Sequence, residues 1–207
     1  MEMTDKYSHE EQRNRVIEVA GKMFAEQGIR KVRMDDVAAA LTMSKRTLYE
    51  MFYDKEELLL ECFKMNQQKK LEFASEVAQT SENVLEIVVR IYQHGMDEMK
   101  SFNSSFFTDI KRYPKVCEWL NQRREENKDS TKAFFIAGVE QGIFRADLNY
   151  DIFLYLMDLS VDGYYNNLNA LQWPITEVLD TVLRMHIRGI CTEKGQILFN
   201  HYLEKRK

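Results

Sequence analysis

The chain has 207 residues, of which 44% are hydrophobic and 30% charged, with a net charge of −4, the balance of an ordinary globular protein. No apolar run approaches the roughly 18 residues that a bilayer span needs, and the opening MEMTDKYSHEEQ lacks the apolar core of a secretion signal. A cytoplasmic protein without a membrane partner is therefore expected. Its length suits one large domain or a small domain joined to a larger one.

Two prolines and eight glycines point to long helices with few complex loops. Cys62, Cys117 and Cys191 lie far apart, so neither a disulfide framework nor a zinc knuckle is expected. The four histidines form no paired ligand spacing, and no metal or cofactor is expected. Catalysis finds no support either: the chain has no glycine-rich phosphate loop, no nucleophile elbow and no HExxH. Divided along its length, the charge is uneven. His9 to Lys55 holds nine basic and eight acidic residues, whereas the stretch after it is acidic by four. A slightly basic tip on an acidic body weakly favours a protein that touches nucleic acid at one end.

In chain order, Met1 to Tyr7 is polar and expected to fray. Ser8 with Glu11 forms a capping-box pattern that opens a helix to about Gln27, with Val16, Ile17, Ala20 and Phe24 as its apolar stripe. Gly28 is placed as its left-handed cap. Arg30, Lys31 and Arg33 form a basic run, followed by a short helix from Met34 to Leu41 and a break at Thr42 and Met43. Ser44 can cap a second short helix that turns Leu48 and Phe52 inward and leaves Lys45, Arg46, Thr47 and Tyr49 outward. Two short helices joined by a turn of about three or four residues make a helix-turn-helix, whose second helix suits phosphates and base edges.

Asp54 with Glu57 repeats the capping-box pattern and opens a long helix bearing Leu58, Leu59, Cys62, Phe63, Leu71, Ala74 and Val77. Further helices are expected at Val84 to about Phe102, Ser105 to Tyr113, and Pro114 to Gln141, the last irregular in its charged middle RREENKDS. IFRADLN reads as a loop. Helices at Tyr150 to about Leu171, Pro174 to Ile190 and Gly195 to Leu203 complete the chain. No segment alternates at period two, so the chain reads as all-α.

The N-terminal stretch resembles the signature of TetR-family transcriptional regulators. The likeness is carried by Ile17, Ala20, Phe24 and Gly28, then Val37 and Ala38, then Ser44-x-x-Thr47-Leu48-Tyr49-x-x-Phe52-x-x-Lys55-x-x-Leu58. Gly138 to Leu148 is similar to the loop that precedes the dimerisation helices of that family. The resemblance implies an N-terminal three-helix helix-turn-helix DNA-binding domain, residues 1–53, and a larger C-terminal helical ligand-binding and dimerisation domain, residues 54–207. It implies a homodimer on an operator of double-stranded DNA, released by a small-molecule effector. Carried onto this sequence, Lys45, Arg46 and Thr47 fall where bases and phosphates are reached, and Tyr49 and Lys55 where phosphate contacts are usual. Ser44 caps the same helix. Three positions depart from the pattern: Arg33 replaces a capping Thr or Ser, Thr42 replaces a turn glycine, and Arg46 replaces a common glycine.

The aromatic surplus is the remaining signal. Aromatics at helical spacing are ordinarily core. As a group, Tyr92, Met96, Met99, Phe102, Phe106, Tyr113, Trp119 and Phe135 are the expected lining of an apolar effector pocket. Gly163, Tyr164, Leu183 and Ile187 are the expected contacts of a four-helix dimer interface. The rival readings are a small-molecule-binding or thiol-based redox-sensing protein with vestigial DNA binding, and an enzyme on a helical scaffold.

Overall fold

The computed structural model describes residues 8–166 and 173–204, apart from the side chains of 164–166. Ten helices account for most of them: α1 (His9–Gln27), α2 (Met34–Ala40), α3 (Lys45–Met51), α4 (Lys55–Thr80), α5 (Val84–Met99), α6 (Phe106–Ile110), α7 (Pro114–Glu140), α8 (Tyr150–Asn166), α9 (Ile175–Ile190) and α10 (Glu193–Glu204). No strand occurs among the described residues, only an isolated antiparallel bridge between Phe144 and Cys191. No helix among them is long and apolar enough to cross a membrane. The expected ends of Met1 to Tyr7 and of the helix reaching Leu171 fall outside the described residues.

Capping chemistry sets the helix starts. Ser8 Oγ accepts from the Glu11 N–H while Glu11 accepts from the Ser8 N–H, so both halves of the capping box are made. The Glu57 N–H donates to Asp54 Oδ1, and Asn149 Oδ1 accepts from Asp151 and Ile152 at the head of α8. Three expectations change. The charged middle of α7 is continuous helix rather than irregular, because solvated side chains do not interrupt the backbone ladder. The aromatic helix contracts to the five residues of α6. Gly28 takes φ 90° and ψ 140°, which is not the left-handed helical conformation, although it remains a backbone that glycine favours.

The chain divides into two compact units, and both are discontinuous. The first joins Met1–Lys70 to Ser101–Asn121, and the second joins Leu71–Lys100 to Gln122–Lys207. The expected boundary after Tyr53 therefore does not coincide with a packing boundary: residues 54–70 and 101–121 share the first unit's core. That core gathers Val16, Ile17, Ala20 and Phe24 of α1, Val37 and Ala38 of α2, Leu48 of α3 and Phe52 at its C-cap, Leu58 and Leu59 of α4, Phe106 of α6 and Val116 of α7. Burying these faces together supplies what helices as short as α2 and α3 lack in isolation.

In the second unit Leu85, Val89, Phe135, Phe144, Phe153, Ile187, Ile190 and Phe199 form a separate core from α5, α7, α8, α9 and α10. The loop after α7 is fixed there by backbone. The Arg145 N–H donates to Ile190 O at 2.8 Å and the Thr192 N–H to Ile143 O at 2.9 Å.

Candidate nucleic-acid interface

The turn between α2 and α3 is built from backbone. The Met43 N–H donates to Ala38 O at 3.0 Å and the Thr42 N–H to Ala39 O at 3.1 Å, the pair of bonds that defines a Schellman motif. That motif requires a left-handed residue, and Thr42 supplies it at φ 55° without being glycine. The chain then enters α3 through Ser44, whose Oγ accepts from the Thr47 N–H at 3.1 Å and lies 2.8 Å from Thr47 Oγ1.

With Leu48 fully buried, α3 is locked in rotation and turns Lys45, Arg46, Tyr49 and Glu50 to solvent. The two cations are not idle. Lys45 Nζ donates to Asp35 Oδ2 of α2 at 2.5 Å, and Arg46 Nε donates to Glu50 Oε1 at 2.8 Å. Tyr49 is half exposed, and Tyr53 beyond it is 83% exposed. Arg33 stands before α2 with its N–H donating to Asp36 Oδ2, while its side chain makes no capping bond. Arg30, Lys31 and Arg33 are all exposed.

Lys55 is placed differently from its expected phosphate role. Its ammonium turns inward, donates to Ile29 O, and lies 5.7 Å from the Phe24 ring centroid. Burial pushes its pKa down, partly offset by Asp109 and Asp36. Asp109 itself is buried and accepts the Arg30 N–H at 2.9 Å, so α6 is hydrogen-bonded to the loop that follows α1. Sequence reading missed Asp35, Glu50 and Asp109. The i,i+4 spacing of Arg46 and Glu50 was available as a cue. The other two pairings are tertiary and left no local trace.

The residues expected around an effector fall into both units. Phe102, Phe106, Tyr113 and Trp119 belong to the first, where Phe102 and Phe106 meet edge to face with centroids 5.0 Å apart. Tyr92, Met96, Met99 and Phe135 belong to the second. There Tyr92 Oη donates to Asp180 Oδ1 at 2.8 Å, Arg184 Nε donates to the same carboxylate, and Phe135 packs in the core against Phe153.

Among the expected dimer contacts, Ile187 is fully buried in the second core and has no surface left for a partner. Leu183 is half-buried against that core. A Cβ on Gly163 would meet no described atom within 4 Å, and the Tyr164 side chain lies outside the described residues. What α8 does expose is a stripe at i, i+3, i+4 and i+7: Ile152, Tyr155, Leu156 and Leu159, each about half exposed or more. The thiols are held protonated. Burial pushes Cys62 up to about 12 and Cys191 up to about 11.

An all-α chain that presents a buttressed helix-turn-helix with basic and hydroxyl side chains outward is a helix-turn-helix DNA-binding protein. Residues 16–62 match the family model of the bacterial regulatory proteins, tetR family. The N-terminal segment thus carries the helix-turn-helix of that family, and the chain as a whole shares the fold of TetR-family transcriptional regulators. It is 22% identical over 146 residues to the HTH-type transcriptional repressor KstR2 of Mycobacterium tuberculosis, covering 68% of this chain and 72% of the relative. Its fold is shared with the solved structure of that ketosteroid regulator, at TM-score 0.55 and 20% identity over 88% of this chain and 96% of that one. A TetR-family regulator from Agrobacterium tumefaciens aligns at TM-score 0.69 and 13% identity, over 88% and 99%. The fatty acid degradation regulator FadR of Bacillus halodurans aligns at 0.61 and 16%, over 88% and 96%.

Proposed function

We propose that this regulator is a repressor that binds a two-fold symmetric operator as a homodimer and leaves it when a small apolar molecule binds. The observation that carries the DNA reading is the outward face of α3, where Lys45, Arg46, Thr47 and Tyr49 stand on a helix whose rotation Leu48 fixes. Ser44 caps that helix, and Arg33 is exposed just before α2. Base and phosphate contacts are assigned to residues 1–53, and effector binding and dimerisation to 54–207. The α8 stripe supports a second copy as partner, since four large apolar residues at helical spacing form a patch that a lone chain would leave wet. The surplus of aromatic and methionine residues in the sequence supports an apolar effector. So do the names of the ketosteroid and fatty acid degradation regulators that share the fold.

An effector acts only through a difference in its affinity for the DNA-competent and DNA-incompetent forms. Coupling of about 1–3 kcal/mol weakens operator binding about 5- to 150-fold, and DNA weakens effector binding by the same factor. The test is selection of bound fragments from genomic DNA with the purified full chain. A recovered motif with two-fold symmetry is expected; binding with no sequence preference at any salt concentration would sink the proposal. The thiol-based reading is disfavoured because Cys62 and Cys191 are held far from the thiolate form at neutral pH.

A further inference from the structure

On the outward face of α3, Arg46 and Glu50 form a closed pair one helical turn apart, with Arg46 Nε donating to Glu50 Oε1 at 2.8 Å. Both side chains are largely exposed, Arg46 at 88% and Glu50 at 60%. A solvent-exposed i,i+4 ion pair contributes little to stability, so this one does little for the fold. Its effect is geometric. A guanidinium carries five N–H donors, one on Nε and two on each Nη. With Nε committed to Glu50, the end-on edge formed by the two Nη groups is left as a two-pronged donor. Arg46 is the second residue of α3, in the N-terminal part of the helix that such motifs lay against base edges. Lys45 beside it is a point charge paired with Asp35 and carries no comparable geometry.

We infer that Arg46 reads a guanine in each half-site through its Nη edge, and that Glu50 is the positioning residue that holds this edge toward the base. The inference rests on the operator reading above. Guanine presents O6 and N7 as adjacent acceptors in the major groove, a match for two parallel N–H donors and for no other base. Lysine can donate to the same two acceptors but lacks the rigid planar fork, so it reads them less selectively. Glu50 adds a second effect: its carboxylate repels phosphate, so the pair tolerates a base edge better than a backbone contact.

The experiment is selection from a randomised duplex library with the wild-type chain, Arg46→Lys, Arg46→Ala and Glu50→Gln, with circular dichroism to verify that each variant is folded. The wild-type motif should contain one guanine per half-site preferred about 5- to 150-fold, the span of one bidentate contact. Arg46→Ala should erase that preference and Arg46→Lys should reduce it, both leaving the other positions of the motif intact. Glu50→Gln should weaken it several-fold at the same position only, an effect that a loss of stability would not confine to one base. A wild-type motif reproduced unchanged by Arg46→Ala overturns the inference and leaves the operator reading standing. A preference unchanged in Glu50→Gln overturns the role of Glu50. No motif from the wild-type chain overturns both readings together.

Discussion

Lys55 Nζ donates to the carbonyl oxygen of Ile29, tying the start of α4 to the loop before α2. Ile29 is fully buried, so Lys55→Met leaves that acceptor without its partner at a cost of about 1–3 kcal/mol. Urea unfolding should register the loss as a lower midpoint with an unchanged m-value. The dependence of DNA affinity on salt should be unaltered. A slope flattened by about 0.9, the signature of one lost phosphate contact, would instead place the ammonium on the DNA.

Thr42 occupies the left-handed position of the α2–α3 turn at φ 55°. That conformation costs an L-residue roughly 1–2 kcal/mol, while glycine loses part of the advantage through the greater freedom of its unfolded chain. Thr42→Gly is expected to stabilise the protein by about 0.5–1 kcal/mol in denaturant titration. A destabilised variant would mean that the threonine side chain contributes more than its backbone costs.

Acid should act through the α1–α4 contact. Glu61 is partly buried, which raises its pKa, but hydrogen bonds from Lys64 and Arg13 outweigh this and hold it below its ordinary 4.5. A carboxylate depressed on folding contributes stability above its unfolded pKa, and that contribution is lost as pH falls through the lower folded value. Wild type should therefore be more stable than Glu61→Gln at pH 6, and the gap should close as pH drops below about 4.5. A gap constant from pH 6 to pH 3 would remove Glu61 from the acid limb.

The α8 stripe predicts the outcome of charge insertion. Leu159 is 52% exposed, so Leu159→Glu leaves the fold of one chain intact while placing a carboxylate where the partner would bury it. Sedimentation at micromolar concentration is expected to show a dimer for wild type and a monomer for the variant. Wild type sedimenting as a monomer would leave the stripe without the occupant assigned to it.

Much of this was legible before any coordinates. Capping residues and apolar periodicity located α1, α3 and α9 to within a few residues, because each is bounded by local chemistry: Ser8, Ser44 and Pro174. The α3 face followed from Leu48 and Phe52 being its only inward anchors. Ile187 was misjudged because α9 is apolar on more than one side, and periodicity does not say which side meets its own core. The same ambiguity concealed the stripe from Ile152 to Leu159. The inward turn of Lys55 depends on a carbonyl 26 positions away, and no pattern along the chain reports such a bond.

The first unit closes over residues that come late in the chain. Phe106 and Val116 are buried in the same core as Val16 and Leu48, and the stretch 71–100 between them belongs to the other unit. A ribosome that has finished the helix-turn-helix has thus delivered every side chain of the DNA-reading face, but not the residues that seal the core behind it. Until the segment Ser101–Asn121 emerges, the nascent chain carries an open apolar surface on α1 and α4, of the kind that holding chaperones recognise. The order of synthesis therefore leaves this core unsealed until more than half of the polypeptide has been made.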